Sequence, residues 1–168
     1  MSFEKFFAIT VTDVNDAPVI GAFDAPVTYR AGGIGTILDS NATVVDTDSV
    51  NFDLGKLTFR ITANVQSTDV LQIRHQGTAA GQIGVNGSDV LYGGIAIGKV
   101  TGGIGSSPLV VTFNSAATSA AVQAVIRNVT FRNTSAAPGT LPRTVSVSLS
   151  DGDGGISAVQ LKQIEITL

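Results

Sequence analysis

Thr144-Val145-Ser146-Val147-Ser148-Leu149-Ser150 alternates apolar and small polar residues without a break. A period of two is what a β-strand with one covered and one open face requires. Leu57-Thr58-Phe59-Arg60-Ile61-Thr62-Ala63 repeats the pattern. Shorter runs over 70–73, 82–85, 90–92, 95–100, 109–113 and 129–132 read the same way, as does 163–168 at the end of the chain. Glycine-containing breaks separate these runs, among them Asn86-Gly87, a hairpin signal. One segment departs from the pattern. Val122, Val125, Ile126 and Val129 fall at i, i+3, i+4 and i+7, so 119–127 is expected to be a helix, with Thr118 or Ser119 as its cap. A helix this short needs a sheet to pack against. The expected fold is all-β, a two-sheet sandwich with one short connecting helix near 119–127.

The bulk properties agree. At 168 residues the chain has room for one domain with a real core. Nineteen glycines and only 14% charged residues suit a module of many strands and turns. A net charge of −3 with no basic cluster argues against nucleic acid or an anionic membrane as partner. No apolar run reaches the length of a membrane span, so no membrane insertion is expected. With no cysteine there is no disulfide framework, thiolate metal site or cysteine nucleophile. Met1 followed directly by a strand-like run reads as an expression start inside a longer natural chain.

The acids are uneven: eleven Asp against two Glu. Three groups of them lie at the ends of expected strands. Asp13, Asn15 and Asp16 follow the run Phe7-Ala8-Ile9-Thr10-Val11 and precede Ala17-Pro18, which stops any continuing element. Asp46 and Asp48 sit at i and i+2, with Asp53 further on. Asp151 and Asp153 stand in Ser150-Asp151-Gly152-Asp153-Gly154-Gly155, directly after the alternating strand 144–150. Closely spaced hard oxygens suit a calcium ion, which takes six to eight oxygen ligands. The same residues also favour plain turns.

Asp13-Val14-Asn15-Asp16-Ala17-Pro18 resembles the linker of cadherin repeats, in the form found in bacterial cadherin-like adhesins. Asp46-Thr47-Asp48 and Asp151 are similar in order and placement to the Asp-x-Asp and late-loop Asp of such repeats. Val45 to Phe52 ahead of Gly55-Lys56-Leu57-Thr58, Pro108 to Asn114 ahead of Ala121 to Phe131, and Ser150 to Gly155 look like recurrent phrases of long bacterial repeats. The resemblance covers 13–168. It implies a Greek-key sandwich of Ig-like or cadherin-like topology that binds Ca2+ through Asp13, Asn15, Asp16, Asp46, Asp48 and Asp151. It also implies an extracellular module, secreted or at the cell surface, whose partners are adjacent repeat modules and whose role is a rigid spacer in an adhesin. The chain departs from cadherin repeats proper. Tyr29-Arg30-Ala31-Gly32 stands where those carry Pro-Glu, the midway Asp-Arg-Glu is missing, and there is extra length around 77–105.

The ends suggest a repeat. Aligning Ile9-Thr10 with Ile166-Thr167 gives a period of 157 residues. The organisation expected is therefore 1–12 as the last strand of a preceding repeat or an expression-start overhang, 13–18 as calcium-binding linker, and 19–168 as the module. Phe3, Phe6, Phe7, Ile9 and Val11 would then lack a native sheet, and the segment is expected either to be disordered or to pair with a neighbouring copy.

Other chemistry finds little support. Gly32-Gly33-Ile34-Gly35 and Gly102-Gly103-Ile104-Gly105 lead into no Lys-Ser/Thr helix start and read as turns. Gly152-Asp153-Gly154-Gly155 occurs once, whereas a calcium β-roll needs tandem copies. His75 is the only histidine, reads as an exposed strand-end residue, and no Gly-x-Ser-x-Gly elbow accompanies it, so no enzyme is expected. The alternative function is a carbohydrate- or cell-surface-protein-binding module; the lack of Trp and the presence of only two Tyr speak against sugar stacking.

Overall fold

The computed structural model describes residues 3, 4, 8, 14–23 and 25–168. Asp13 and nearly all of the strand expected over 7–11 lie outside the described residues. In chain order the elements are β1 (Val19–Gly21), β2 (Val27–Arg30), β3 (Thr36–Ile37), β4 (Thr43–Val45), β5 (Lys56–Ala63), β6 (Asp69–Ile73) and β7 (Ile83–Asn86). They continue with β8 (Asp89–Tyr92), β9 (Ile95–Thr101), β10 (Leu109–Phe113), α1 (Ser119–Ile126), β11 (Val129–Asn133), β12 (Arg143–Ser150) and β13 (Gln160–Thr167). The all-β expectation with one short helix holds.

Hydrogen bonding divides the described strands into three sheets where two were expected. The large sheet runs β2-β13-β12-β5-β10-β9-β8-β7, a second runs β3-β11-β6, and β1 pairs with β4. The third sheet arises because the chain changes partners early. β1 is antiparallel to β4, then Pro26, which has no N–H to give a ladder, precedes β2, which runs parallel to β13. One hydrophobic core joins all three sheets and the helix. Val145, Val147 and Leu149 of β12 and Leu57 and Phe59 of β5 fill it from the large sheet. Phe131 of β11 meets Tyr29 of β2 edge-on, with ring centroids 5.3 Å apart.

The helix forms where its periodicity places it. Thr118 caps it, its hydroxyl accepting from Ala121 N at 3.3 Å. Ala121, Val122, Val125 and Ile126 are fully buried, and Gln123 Oε1 accepts from Val44 N at 3.2 Å, tying α1 to β4. The hairpin signal is displaced by one residue. β7 and β8 pair Asn86 with Asp89, so the two loop residues are Gly87 and Ser88, with Gly87 at φ +58°. A glycine at the first loop position suits the twist of the flanking strands.

At about 3.4 Å per residue the eight residues of strand β12 span roughly 25 Å. Its start pairs Arg143 with Ile164 of β13, and its end pairs Ser150 with Lys56 of β5. The two poles differ in chemistry. At the Arg143 pole, Arg143 Nε meets Asp69 Oδ2 at 3.0 Å with both side chains buried. Asp69 also accepts from Asn133 Nδ2 at 2.6 Å and from Gln66 N at 2.7 Å. Along β13 a second buried pair joins Lys162 Nζ to Asp39 Oδ2 at 2.7 Å. The Ser150 pole carries the acidic segments.

Candidate functional site: an acidic pole built on the segment 14–18

The register of β1 and β4 assembles this pole. Val19 faces Val45 and Gly21 faces Thr43. Continuing that antiparallel register outward brings Asp16 opposite Asp48. The contact is made: Asp16 N donates to Asp48 Oδ2 at 2.8 Å, and Thr47 Oγ1 donates to Asp16 Oδ2 at 3.0 Å. Asp46 turns back on its own loop, its Oδ1 accepting from Ser49 N at 3.1 Å and Asp48 N at 3.4 Å. The other carboxylate oxygen, Asp46 Oδ2, is buried with no hydrogen-bond partner among the described residues, and so is the Ser49 hydroxyl oxygen.

The loop after β12 supplies the other wall. Asp151 is fully buried. Its Oδ1 accepts from the N–H groups of Asp153, Gly154 and Gly155 at 2.8, 3.0 and 3.0 Å. Its Oδ2 accepts from Gly155 N at 3.0 Å and from Asn15 Nδ2 at 2.9 Å. Burial alone would raise the Asp151 carboxyl. The Asn15 amide and the three loop N–H groups outweigh that and hold it below its ordinary value of 3.8. The loop lies directly on its neighbours at Gly152 and Gly155. A Cβ on Gly152 would stand 1.9 Å from Asp53 O, and one on Gly55 would stand 2.5 Å from Ser150 O. At Gly155 a Cβ would stand 2.2 Å from Asp151 Oδ2 and 2.8 Å from Ala17 Cα. Gly152 also has φ +103°, a conformation that favours glycine.

Asn15, Asp16, Asp46, Asp48 and Asp151 are thus gathered at one pole, with Asn15 on Asp151 and Asp16 on Asp48. Asp13 lies outside the described residues. The carboxylates contact N–H and O–H donors, and among the described residues no group of three or more His, Asp or Glu is arranged to hold a metal ion. The two buried oxygens of Asp46 and Ser49 are the feature that fits a hard cation, since each offers a lone pair that nothing among the described residues satisfies. The Asn15 amide was legible as a possible ligand; its use as a donor to Asp151 was not, because the partner lies 136 residues away.

Elsewhere His75 and the glycine run 102–105 sit as the sequence suggests. His75 is exposed beyond the end of β6, where its Nδ1 accepts from Val85 N at 2.9 Å. Gly102, Gly103 and Gly105 have positive φ in a turn between β9 and β10. No helix among the described residues is long and apolar enough to cross a membrane. Compared with family models, curated proteins and solved structures, the chain gives no match.

Proposed function

We propose that this protein is a calcium-binding extracellular spacer module with the Greek-key, cadherin-like topology that the resemblance of its linker and loops implies. The observation that carries the reading is that Asp46 Oδ2 and Ser49 Oγ are both buried without a hydrogen-bond partner among the described residues. Between Asp46 and Ser49 in the chain stands Asp48, which is bonded to Asp16 of the segment 14–18. A cation there would draw on the carboxylates of Asp16, Asp46 and Asp48. Asp151 and Asn15 hold the segment 14–18 against the domain, and the ligand set implied by the resemblance includes these two and Asp13 as well. Calcium would supply charge neutralisation, linking segment to loops by ionic contacts in place of hydrogen bonds alone.

The arrangement of the poles favours a spacer. Residues 14–18 lie at the Ser150 pole, whereas β13 runs the other way and reaches Thr167 beyond the level of Arg143. Modules joined in tandem through such ends would line up as a rod, each with its acidic pole at a junction. The proposed setting is a secreted or surface adhesin in which neighbouring modules are the partners and no reaction is catalysed. Calorimetric titration with Ca2+ tests the reading. The protein should bind calcium, and Asp46→Asn/Asp48→Asn should abolish binding; heat changes no larger than dilution in the unaltered protein would overturn it.

A further inference from the structure

A cleft of about 360 Å3 opens between the exposed side of α1 and the connection from β6 to β8. Its walls include Arg74, Gln76, Tyr92, Gln123 and Arg127, with Ser40 at the rim. The length that departs from a cadherin repeat, around 77–105, contributes Gly81 and Tyr92 to it. The volume lies within the range of small-molecule sites, roughly 300–1,000 Å3.

Its electrostatics are opposite to those of the acidic pole. Two guanidinium groups line one cleft in a protein of net charge −3, and among the described residues no Asp or Glu lines it. Among the described residues the ion pairs are Lys99–Asp89, Arg143–Asp69 and Lys162–Asp39, so neither arginine has a carboxylate partner. Neutral acceptors hold both in place instead. Asn128 Oδ1 accepts from Arg74 Nε at 3.1 Å and Nη2 at 2.9 Å. Ala42 O accepts from Arg127 Nε at 2.7 Å. Asn128 is itself buried and fixed, its Nδ2 donating to Ala124 O at 2.9 Å. The result is two oriented cations whose charge is uncompensated, the arrangement that recognises carboxylate or sulfate. Around them stand neutral groups suited to hydroxyls. Gln123 uses its Oε1 on Val44 N, which leaves its Nε2 as a donor, and Ser40 and Gln76 are exposed.

We infer that this cleft binds an oxyanion carried on a small hydroxyl-rich ligand, a carboxylated or sulfated saccharide unit. The two arginines neutralise the oxyanion, and the amides and hydroxyl pair with the ring substituents. The site shares no residue with the acidic pole and does not depend on calcium there.

The test is a 1H–15N NMR titration of the whole protein with four probes: glucuronate, glucose 6-sulfate, glucose and inorganic sulfate. Glucuronate or glucose 6-sulfate should shift the amides of Gly81, Gln123, Ala124 and Arg127, and the stronger of the two tells whether carboxylate or sulfate is preferred. Glucose and inorganic sulfate should each bind at least tenfold more weakly than that probe. Arg74→Gln and Arg127→Gln, which keep a side-chain donor, should each weaken binding at least tenfold. No localised shift with either charged saccharide would overturn the inference in the unaltered protein alone. Glucose binding equally well would remove the oxyanion from it, and inorganic sulfate binding equally well would remove the saccharide; either result contradicts it.

Discussion

Asn15 Nδ2 donates to Asp151 Oδ2 at 2.9 Å, joining the segment before the first strand to the loop after the twelfth. Asp151 is the last wholly buried residue of that strand's path, and its carboxylate accepts five hydrogen bonds from four donors. The same side chain therefore shapes the loop 151–155 and docks the segment 14–18. Any ion at the acidic pole would act on a segment that is already placed.

Asp151 makes stability depend on acid pH. Its folded-state carboxyl titrates below the ordinary value of 3.8. A depressed carboxyl contributes stability that is fully present above the unfolded value and is lost as pH falls through the folded one. Asp151→Asn keeps the size but removes the charge and turns an amide donor toward N–H groups. It should cost about 2 kcal/mol or more at pH 7. Urea unfolding between pH 2 and 7 should show a shallower acid slope for the variant; parallel slopes would show that Asp151 is not the titrating group.

Gly155 tests the docking by shape alone. Its backbone is not in the left-handed region, so alanine meets no φ penalty there. The added Cβ would instead stand 2.2 Å from Asp151 Oδ2 and 2.8 Å from Ala17 Cα. Gly155→Ala should release the segment 14–18 with the core intact. The side-chain amide resonances of Asn15 should move to free-asparagine positions and the segment should become sensitive to protease. An unchanged Asn15 amide signal would contradict the close packing at this glycine.

The helix is held by its apolar stripe. Val122, Val125 and Ile126 are fully buried. Val125→Asp would place a carboxylate there without a partner and should cost about 4 kcal/mol or more. Chemical denaturation measures this directly, and a midpoint equal to that of the unaltered protein would show the helix lying free of the core.

The regular parts of the fold were legible because they are local. Period-two alternation located β5 and β12, and the i, i+3, i+4, i+7 stripe located α1. What stayed hidden depends on distant partners. Arg143 and Lys162 occupy core-facing positions on their strands, where sequence reads polar, because Asp69 and Asp39 meet them inside. A buried charge is tolerated only with such a partner. Leu161, by contrast, is apolar and 60% exposed. The parallel pairing of β2 with β13 joins segments over a hundred residues apart and leaves no local signature. The acidic clusters were legible as clusters. Their convergence on the segment 14–18 follows from the β1–β4 register and the glycine packing at residue 155, neither of which a linear pattern displays.

The measurement closest to the central claim is a thermal melt with calcium and with chelator. An ion bound only by the folded state, present at a hundred to a thousand times its dissociation constant, adds about 3–4 kcal/mol. For a domain of this size that corresponds to a rise in Tm of roughly 10 °C. Millimolar calcium should raise the Tm by that amount, chelator should reverse it, and Asp46→Asn/Asp48→Asn should melt at one temperature in both conditions. A Tm for the unaltered protein that is the same in calcium and in chelator would contradict the calcium-binding account and leave the acidic pole a set of hydrogen-bonded turns.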